Sequence, residues 1–362
     1  MTCSLLGYYG KGATLSDLVY LLCRQYFRAR IGIGIAFKHS IHDRVYIVKT
    51  MGNKPINISD ALAGKKLWEW FIDHVKNKGY NINEEVNIFL GHLRYATVSP
   101  GEVDDKLAHP FVYKDEEYEI TIIHNGDLGG HILLHRILRN IVKYDSHYLP
   151  LTSDSAVIPL IIREYINLYG NADEGFTNFA KDFSLSNQTY GTIIALIIDK
   201  ISMSSVLYFM KYDMPLVMLN NESGTFLASD IYAFYDPILG DTKELKITVF
   251  LEEPNKPFIG KIEGPNTIKA LSDYSTSYTI NVEPILDDFE HHHCPYNKYH
   301  YPHTHILRKW DKRTLSFDWR IKGITNKIRD EIKRNVTSEI GESRGICLEC
   351  YIRILLDKGY LS

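Results

Sequence analysis

The chain begins Met-Thr-Cys-Ser-Leu-Leu-Gly-Tyr-Tyr-Gly, residues 1–10, which places a cysteine near the amino terminus and directly before an apolar run. The leucines and tyrosines of this run predict a buried β-strand. A cysteine exposed as a new N-terminus would carry a thiol nucleophile and an α-amine that titrates near pH ~8 on one residue. The alternative interpretation of Cys3 is a buried structural cysteine on a first strand.

Length and composition favour a large domain with an appendage, since the chain has 362 residues, of which 45% are hydrophobic and 23% charged. No stretch reaches the ~18 apolar residues of a membrane span, and the first residues do not have the pattern of a signal peptide. Five cysteines in a chain of this length do not indicate a secreted disulfide framework. These features predict a cytoplasmic protein without membrane association.

Charge is distributed unevenly along the chain. Residues 291–362 contain 14 Lys and Arg against 8 Asp and Glu, a net charge of +6, whereas the whole chain carries −3. A basic tail on an acidic body suggests a docking surface for a partner protein. The excess is too small to favour nucleic acid as that partner.

Hydrophobic periodicity predicts about nine strands in the body, among them residues 45–50 and 245–251. It also predicts four helices there, which include residues 16–27, capped by Ser16, and residues 129–144. Strands and helices do not alternate one for one, so we expect packed antiparallel sheets with helices outside them. A histidine-rich segment follows this body and leads to two further helical stretches. We therefore divide the chain into residues 1–282 and a C-terminal extension, residues 283–362.

Four short motifs occur in order where predicted strands end or helices begin, namely Gly91-His92-Leu93-Arg94-Tyr95-Ala96-Thr97, Ala108-His109-Pro110, His124-Asn125-Gly126 and Ser153-Asp154-Ser155. Each motif has a simpler explanation when taken alone. Arg94 and Asp154 could form a surface ion pair, and His109 could be a structural histidine. Asn-Gly is also a common hairpin-turn dipeptide.

Together with residues 3–7 and 28–34, these motifs resemble the class II, N-terminal-nucleophile glutamine amidotransferases. The closest likeness is to the glutaminase half of glutamine–fructose-6-phosphate aminotransferase, and it covers about residues 3–282. The resemblance implies an α+β fold, a four-layer αββα sandwich of antiparallel sheets. It also implies hydrolysis of L-glutamine without a cofactor.

The resemblance assigns the chemistry to four residues. Cys3 would attack the side-chain amide of glutamine and form a γ-glutamyl thioester. Arg28 would lie near the nucleophile and favour its thiolate form. The side-chain amide of Asn125 and the N–H group of Gly126 would donate hydrogen bonds to the oxyanion.

The resemblance also assigns residues that bind the substrate. Arg94 would hold the α-carboxylate of glutamine with a bidentate fork, and Asp154 would hold the α-ammonium group. Tyr95 and Thr97 belong to the same motif as Arg94 and would contribute to this site. His109 would be a supporting residue.

Five positions depart from the family pattern. Tyr95 replaces a tryptophan, which keeps an aromatic ring, and Ala156 replaces a glutamate. Ser4 replaces the usual glycine after the nucleophile, and Val98 replaces a histidine in the loop that closes over glutamine. Thr2 precedes the nucleophile, and a cysteine nitrogen within a peptide bond has no basic lone pair. The mechanism therefore requires removal of both Met1 and Thr2, for example as a short propeptide that the protein cleaves itself.

Residues 299–309 resemble the hinge that leads into the sugar-isomerase half of the synthase. Roughly fifty residues follow, fewer than the ~100–200 of a typical domain. We therefore expect a separate glutaminase subunit that supplies ammonia to a sugar-isomerase protein for glucosamine 6-phosphate synthesis from fructose 6-phosphate. The alternatives are a glutaminase that serves another acceptor and a catalytically silent glutamine-binding scaffold.

The extension also contains a Cys-x-x-Cys pair and a distant cysteine beside three histidines. Cys294, Cys347 and Cys350 are therefore candidate zinc ligands. The alternative is two thiols on a helix and a solvated histidine run.

Overall fold

The computed structural model describes residues 3–26, 32–39, 44–51, 63–94, 105–130, 153–185, 189–234, 244–253, 256–272, 276–284, 319–340 and 348–361. Within these ranges the chain forms fifteen β-strands, numbered here in chain order, and six α-helices. The strands assemble into two antiparallel sheets of nine and six strands. The estimate of about nine strands for the body is therefore wrong, because it missed five of the strands that lie within residues 1–284.

The nine-stranded sheet has the order β15-β14-β11-β9-β10-β1-β4-β2-β3. Its strands are β1 (Ser4–Gly10), β2 (Gly32–Lys38), β3 (Val45–Thr50), β4 (Ile88–Arg94), β9 (Val217–Asn221), β10 (Gly224–Ala228), β11 (Leu245–Leu251), β14 (Thr276–Pro284) and β15 (Trp319–Ile321). The predicted first strand, β1, is an interior strand that pairs with both β4 and β10.

The six-stranded sheet has the order β13-β12-β8-β7-β6-β5. Its strands are β5 (Phe111–Lys114), β6 (Tyr118–Asp127), β7 (Tyr190–Asp199), β8 (Ser204–Tyr212), β12 (Phe258–Gly264) and β13 (Thr267–Ala270). Strands β6 and β7 are buried on both faces. This burial explains the three isoleucines of β6 and the four of β7, a residue type that suits strands covered on both sides.

The helices are α1 (Leu15–Cys23), α2 (Ala63–Asn77), α3 (Ile158–Tyr169), α4 (Ala172–Leu185), α5 (Asn326–Ile340) and α6 (Leu348–Asp357). Helices α1 and α2 pack on the outer face of the large sheet, and α3 and α4 on the outer face of the small sheet. A third buried cluster lies between the two sheets. The predicted four-layer αββα arrangement is therefore confirmed.

Helix α1 begins two residues earlier than its predicted cap, Ser16, would place it. The hydroxyl of Thr14 accepts a hydrogen bond from the N–H group of Asp17 at 3.2 Å, and the Asp17 carboxylate accepts one from the N–H group of Thr14. This reciprocal arrangement is a capping box, which satisfies two backbone donors at once. Thr14, and not Ser16, is therefore the cap.

The described part of the extension packs against the body. Strand β15 pairs with β14, and the side chains of Ile332, Tyr351, Ile352 and Leu355 are buried in the same cluster as helix α1. Residues 319–340 and 348–361 therefore contribute to the core of the large-sheet side and do not behave as a loose tail. The boundary at residue 282 stays a prediction.

Two predicted elements lie outside the described residues: the helix over residues 129–144, most of which is not described, and the hinge-like segment 299–309. Among the helices that the structure describes, none is both long enough and apolar enough to cross a membrane.

Candidate active site

Cys3 is partly exposed and directly precedes β1, whose first residues are held by side chains from two other segments. The hydroxyl of Ser4 donates to the carbonyl oxygen of Gln25 at 3.3 Å, and the amide of Gln25 donates to the carbonyl oxygen of Leu5 at 3.1 Å. The N–H group of Leu5 donates to the hydroxyl of Ser229 at 3.0 Å. These contacts fix the backbone beside Cys3. Ser4, which replaces the family's glycine, has a hydrogen-bond acceptor in the carbonyl oxygen of Gln25.

The ladder between β1 and β4 places Cys3 near Arg94. Ser4 pairs with Leu93, so the two flanking residues lie at the same end of the sheet. The side chain of Arg94 is partly exposed there. A guanidinium at this position can offer a bidentate fork to a carboxylate beside the thiol.

Two contacts show how β1 lies across the small sheet. The hydroxyl of Tyr9 donates to the carbonyl oxygen of Ser205 at the start of β8. Gly7 lies against Ile194 in β7, where a Cβ atom on the glycine would come within 3.1 Å of the isoleucine side chain. The beginning of β1 is therefore directed toward the beginning of β7 and, through the pairing of β6 with β7, toward the end of β6.

A third contact extends this alignment to the end of β6. His92 pairs with Leu5 in the large sheet, and its Nε2 atom lies 3.1 Å from the carbonyl oxygen of His124. Asn125 follows His124, and Arg94 lies two residues beyond His92. The beginning of β1, the end of β4 and the end of β6 therefore meet at one end of the sandwich.

Asn125 and Gly126 lie within β6, opposite Thr192 and Gly191 of β7. The alternative that they form a hairpin turn is therefore wrong. The side chain of Asn125 is only 1% exposed, and its Nδ2 atom has no hydrogen-bond partner among the described residues. A buried donor without a partner costs free energy, so this amide is suited to donate to a substrate oxygen.

Gly126 has a φ angle of +155°. A Cβ atom there would overlap the carbonyl oxygen of Tyr190 and would lie 2.9 Å from the ring of His124. Only glycine fits this close approach of strands without displacing one of them.

Asp154 begins the short 3₁₀ turn that leads into α3, as the motif predicts. Its carboxylate accepts hydrogen bonds from the N–H groups of Leu128 at 3.0 Å and Ser155 at 2.8 Å. The hydroxyl of Ser155 also lies 2.9 Å from the Nδ1 atom of His124, which ties this turn to β6. An ionised carboxylate has about four acceptor sites, so the partly exposed Asp154 can still bind an ammonium group.

His109 is 5% exposed and lies between the two sheets, with its ring centroid 3.9 Å from that of His92. The Nζ atom of Lys49 donates to the carbonyl oxygens of Ala108 and Pro110 and holds this segment in place. Burial lowers the pKa of the His92 ring to about 3, with a further contribution from Arg94, and also lowers that of His109. Both rings are therefore neutral at neutral pH, and the substrate-binding role of His109 stays a prediction.

Several predicted residues lie outside the described ranges: Met1, Thr2, Arg28, Tyr95, Thr97, Val98, Cys294 and Cys347. Cys350 lies in α6, where the structure describes the backbone of that position only. No group of three or more His, Cys, Asp and Glu side chains within the described ranges is arranged to hold a metal ion. The zinc site stays a prediction.

The interpretation of the sequence missed the contacts of His92 and His124, although both residues belong to the motifs that it used. Each precedes a predicted site residue by one or two positions on the same strand. A polar residue at the buried end of a strand was the signal available for both. Which partner such a residue contacts depends on how the two sheets are aligned.

No protein-family model matches the chain. A glutamine–fructose-6-phosphate aminotransferase from Sulfolobus acidocaldarius is 33% identical over 147 residues, which are 41% of this chain and 22% of that protein. The enzyme of that name from Clostridium acetobutylicum is 25% identical over 245 residues, 67% of this chain and 33% of that protein. The resemblance to this group of enzymes is thereby confirmed, and the match spans about a fifth to a third of their length.

A solved structure of glutamine phosphoribosylpyrophosphate amidotransferase from B. subtilis also matches. The sequence identity is 17% and the TM-score is 0.47, over 75% of this chain and 50% of that one.

Proposed function

We propose that this chain is a glutamine amidotransferase component that hydrolyses L-glutamine to glutamate and ammonia, with Cys3 as the nucleophile. The observation that carries the proposal is the meeting of three strand ends. They bring Cys3, Arg94 and a buried Asn125 amide, unpartnered among the described residues, to one end of the sandwich. Cysteine nucleophile, carboxylate clamp and oxyanion donor are the parts that hydrolysis of an amino-acid side-chain amide needs.

The reaction begins when the sulfur of Cys3 attacks the side-chain amide carbon of glutamine. A C–S bond forms and the amide oxygen takes up negative charge, which the amide of Asn125 and the N–H group of Gly126 stabilise. The thiol proton passes through the α-amine of Cys3 to the leaving nitrogen, and the C–N bond breaks to release ammonia. Water then hydrolyses the thioester and frees glutamate.

This mechanism requires a free α-amine on Cys3, because a peptide nitrogen cannot accept a proton at neutral pH. Removal of Met1 and Thr2 would expose that amine, which titrates near pH ~8 and can act as a general base. Arg28 would lie close to the thiol and favour its ionised form.

Arg94 and Asp154 bind the two charged groups of the amino-acid end of glutamine. The guanidinium of Arg94 forms a fork on the α-carboxylate, and the anchored carboxylate of Asp154 accepts from the α-ammonium group. Tyr95 and Thr97 follow Arg94 and complete the clamp, with His109 in support. This arrangement selects an α-amino acid over a simple amide.

The proposal also concerns the protein that receives the ammonia. The relatives are named as aminotransferases of fructose 6-phosphate. We infer that the ammonia serves a separate sugar-isomerase protein that makes glucosamine 6-phosphate from fructose 6-phosphate in the cytoplasm. The basic region of residues 291–362 is the dock for an acidic surface of that protein.

The test measures glutamate release from glutamine by the purified protein, together with the mass of its N-terminus. We expect release only from protein that begins at Cys3, and glucosamine 6-phosphate only after fructose 6-phosphate and an isomerase protein are added. Glutamate without aminosugar would indicate another acceptor. Glutamine binding without glutamate release, in protein that begins at Cys3, would indicate a silent scaffold and contradict the proposal.

A further inference from the structure

The carbonyl oxygen of His124 lies at a gap in the small sheet. Strand β5 begins at Phe111, which pairs with Ile122, so the backbone ladder on that side of β6 ends before His124 is reached. The oxygen instead lies 3.1 Å from the Nε2 atom of His92, which comes from the other sheet. A side chain therefore occupies the place of a missing strand partner.

We propose that His92 is a positioning residue for the oxyanion site. The carbonyl that it binds belongs to the peptide between His124 and Asn125, so this hydrogen bond fixes the orientation of that peptide and of the asparagine that follows. The inference rests on the proposed function, because it concerns the same oxyanion donor. It adds a residue that touches neither the substrate nor the reacting atoms.

The protonation of His92 suits this role. The ring is 1% exposed, and burial lowers its pKa to about 3, so it is neutral and carries one N–H group. Since the Nε2 atom faces a carbonyl oxygen, we assign the proton to Nε2. The Nδ1 atom has no hydrogen-bond partner among the described residues, so the bond to His124 is the one polar contact of the ring within them.

The packing around His92 holds its ring in one orientation. The ring of His109 lies against it with a centroid distance of 3.9 Å. Lys49 clamps the backbone on both sides of His109, and a Cβ atom at Gly34 would overlap the carbonyl oxygen of His109. The two rings therefore form a rigid contact between β2, β3 and β4 of the large sheet and the end of β6.

The inference is tested with two substitutions of His92 and one matched control. His92→Leu removes the donor, whereas His92→Gln retains an N–H donor at a similar distance from the backbone. His39→Leu is the control. His39 is 5% exposed, against 1% for His92, and its Nδ1 atom lies 2.8 Å from the carbonyl oxygen of Glu85. His39 comes directly after Lys38, at the end of β2 that is remote from the candidate site.

The kinetic readout is the division of the effect between kcat and KM for glutamine. Removing an oxyanion donor typically lowers kcat by about 10²–10³-fold, so displacing one should lower it by about tenfold in His92→Leu. KM should stay unchanged, because Arg94 and Asp154 are untouched. His92→Gln should recover most of the loss, and His39→Leu should keep the wild-type kcat.

A second readout does not depend on catalysis. Amide hydrogen exchange in the peptide that covers residues 118–127 should be faster in His92→Leu than in wild type and His39→Leu. In His92→Gln, the rate should return toward that of wild type. Equal exchange in all four proteins would overturn the inference, as would an unchanged kcat in folded His92→Leu. A wild-type protein without glutaminase activity would overturn the proposed function, while the exchange comparison would still decide the role of His92.

Discussion

The Nζ atom of Lys211 lies 3.0 Å from a carboxylate oxygen of Glu349, which joins strand β8 of the small sheet to the C-terminal helix α6. Lys211 is fully buried and also forms an ion pair with Glu252, which follows β11. Burial by itself would lower the pKa of this lysine, but the two carboxylates together raise it, so the lysine is charged. The helix is therefore bound to both sheets at a buried ionic cluster.

The first prediction concerns this cluster. Glu349→Gln should lower the free energy of unfolding by about 1.5–3 kcal/mol, because it removes a charged partner from a buried lysine. Glu253→Gln is the control, since Glu253 pairs with Lys256 where both side chains are about half exposed. That change should cost less than about 0.5 kcal/mol. Urea unfolding of the two variants checks the prediction, and equal costs would contradict it.

This cluster also bears on how docking by the extension can be tested. A tail that serves only for docking could be deleted after residue 287 without loss of basal hydrolysis. The buried positions of Tyr351, Ile352 and Leu355 and the ion pair of Lys211 indicate that such a deletion exposes apolar surface and unbalances a buried charge. Point variants on the surface of the extension are therefore the appropriate test of docking.

The second prediction concerns the grip on the substrate. Arg94→Lys should raise KM for glutamine by about tenfold or more with a smaller change in kcat, because a point charge cannot replace a bidentate fork. Steady-state kinetics with glutamine measures both constants. A wild-type KM in this variant would show that Arg94 does not bind the α-carboxylate.

The third prediction concerns the oxyanion. Asn125→Ala should lower kcat by about 10²–10³-fold with little change in KM, because the negative charge develops only in the transition state. The unfolding free energy should change little, since the described residues offer no partner to the Nδ2 atom that is removed. A rise in KM with an unchanged kcat would instead indicate that Asn125 binds the ground state.

The fourth prediction concerns pH. Burial is the main cause that lowers the pKa values of His92, His109 and His124 below 6.5 in the folded protein. The unfolded chain therefore binds more protons below pH 6.5, so stability is lost as the pH falls through that value. Each histidine contributes up to ~1.4 kcal/mol per pH unit.

Urea unfolding at pH 7 and pH 5 measures this dependence. His92→Leu should reduce the difference between the two free energies of unfolding, because one of the titrating groups is gone. The expected window for His92 extends from pH 6.5 down to about 3. An unchanged difference in this variant would show that His92 binds a proton as readily in the folded protein as in the unfolded chain.

Much of the fold could be predicted from local pattern. Strands β3 and β11 match their predicted residues, 45–50 and 245–251, because apolar β-branched runs with clear polar boundaries indicate strands directly. Helix α4 was missed although Phe176, Phe179 and Phe183 have helical spacing. The short strands β5 and β13 carry too few residues for a periodic signal.

In the candidate site as well, residues marked by local pattern could be predicted, whereas contacts between the two sheets could not. The motifs indicated Arg94, Asn125 and Asp154 because each stands at a strand end or a helix start. The hydrogen bond between His92 and His124 could not be predicted, because sequence does not determine how one sheet lies across the other. Such contacts follow from the packing of Gly7 and its neighbours between the sheets.

The fifth prediction tests the central claim, that Cys3 is the nucleophile. The measurement is the initial rate of glutamate release from glutamine by wild type, Cys3→Ala and Cys23→Ala, each with its N-terminal mass determined. Cys23 is the matched control, because it is fully buried in α1 and burial raises the pKa of its thiol well above the ordinary value. We expect no release from Cys3→Ala and a rate close to wild type from folded Cys23→Ala, and full activity in Cys3→Ala would contradict the account.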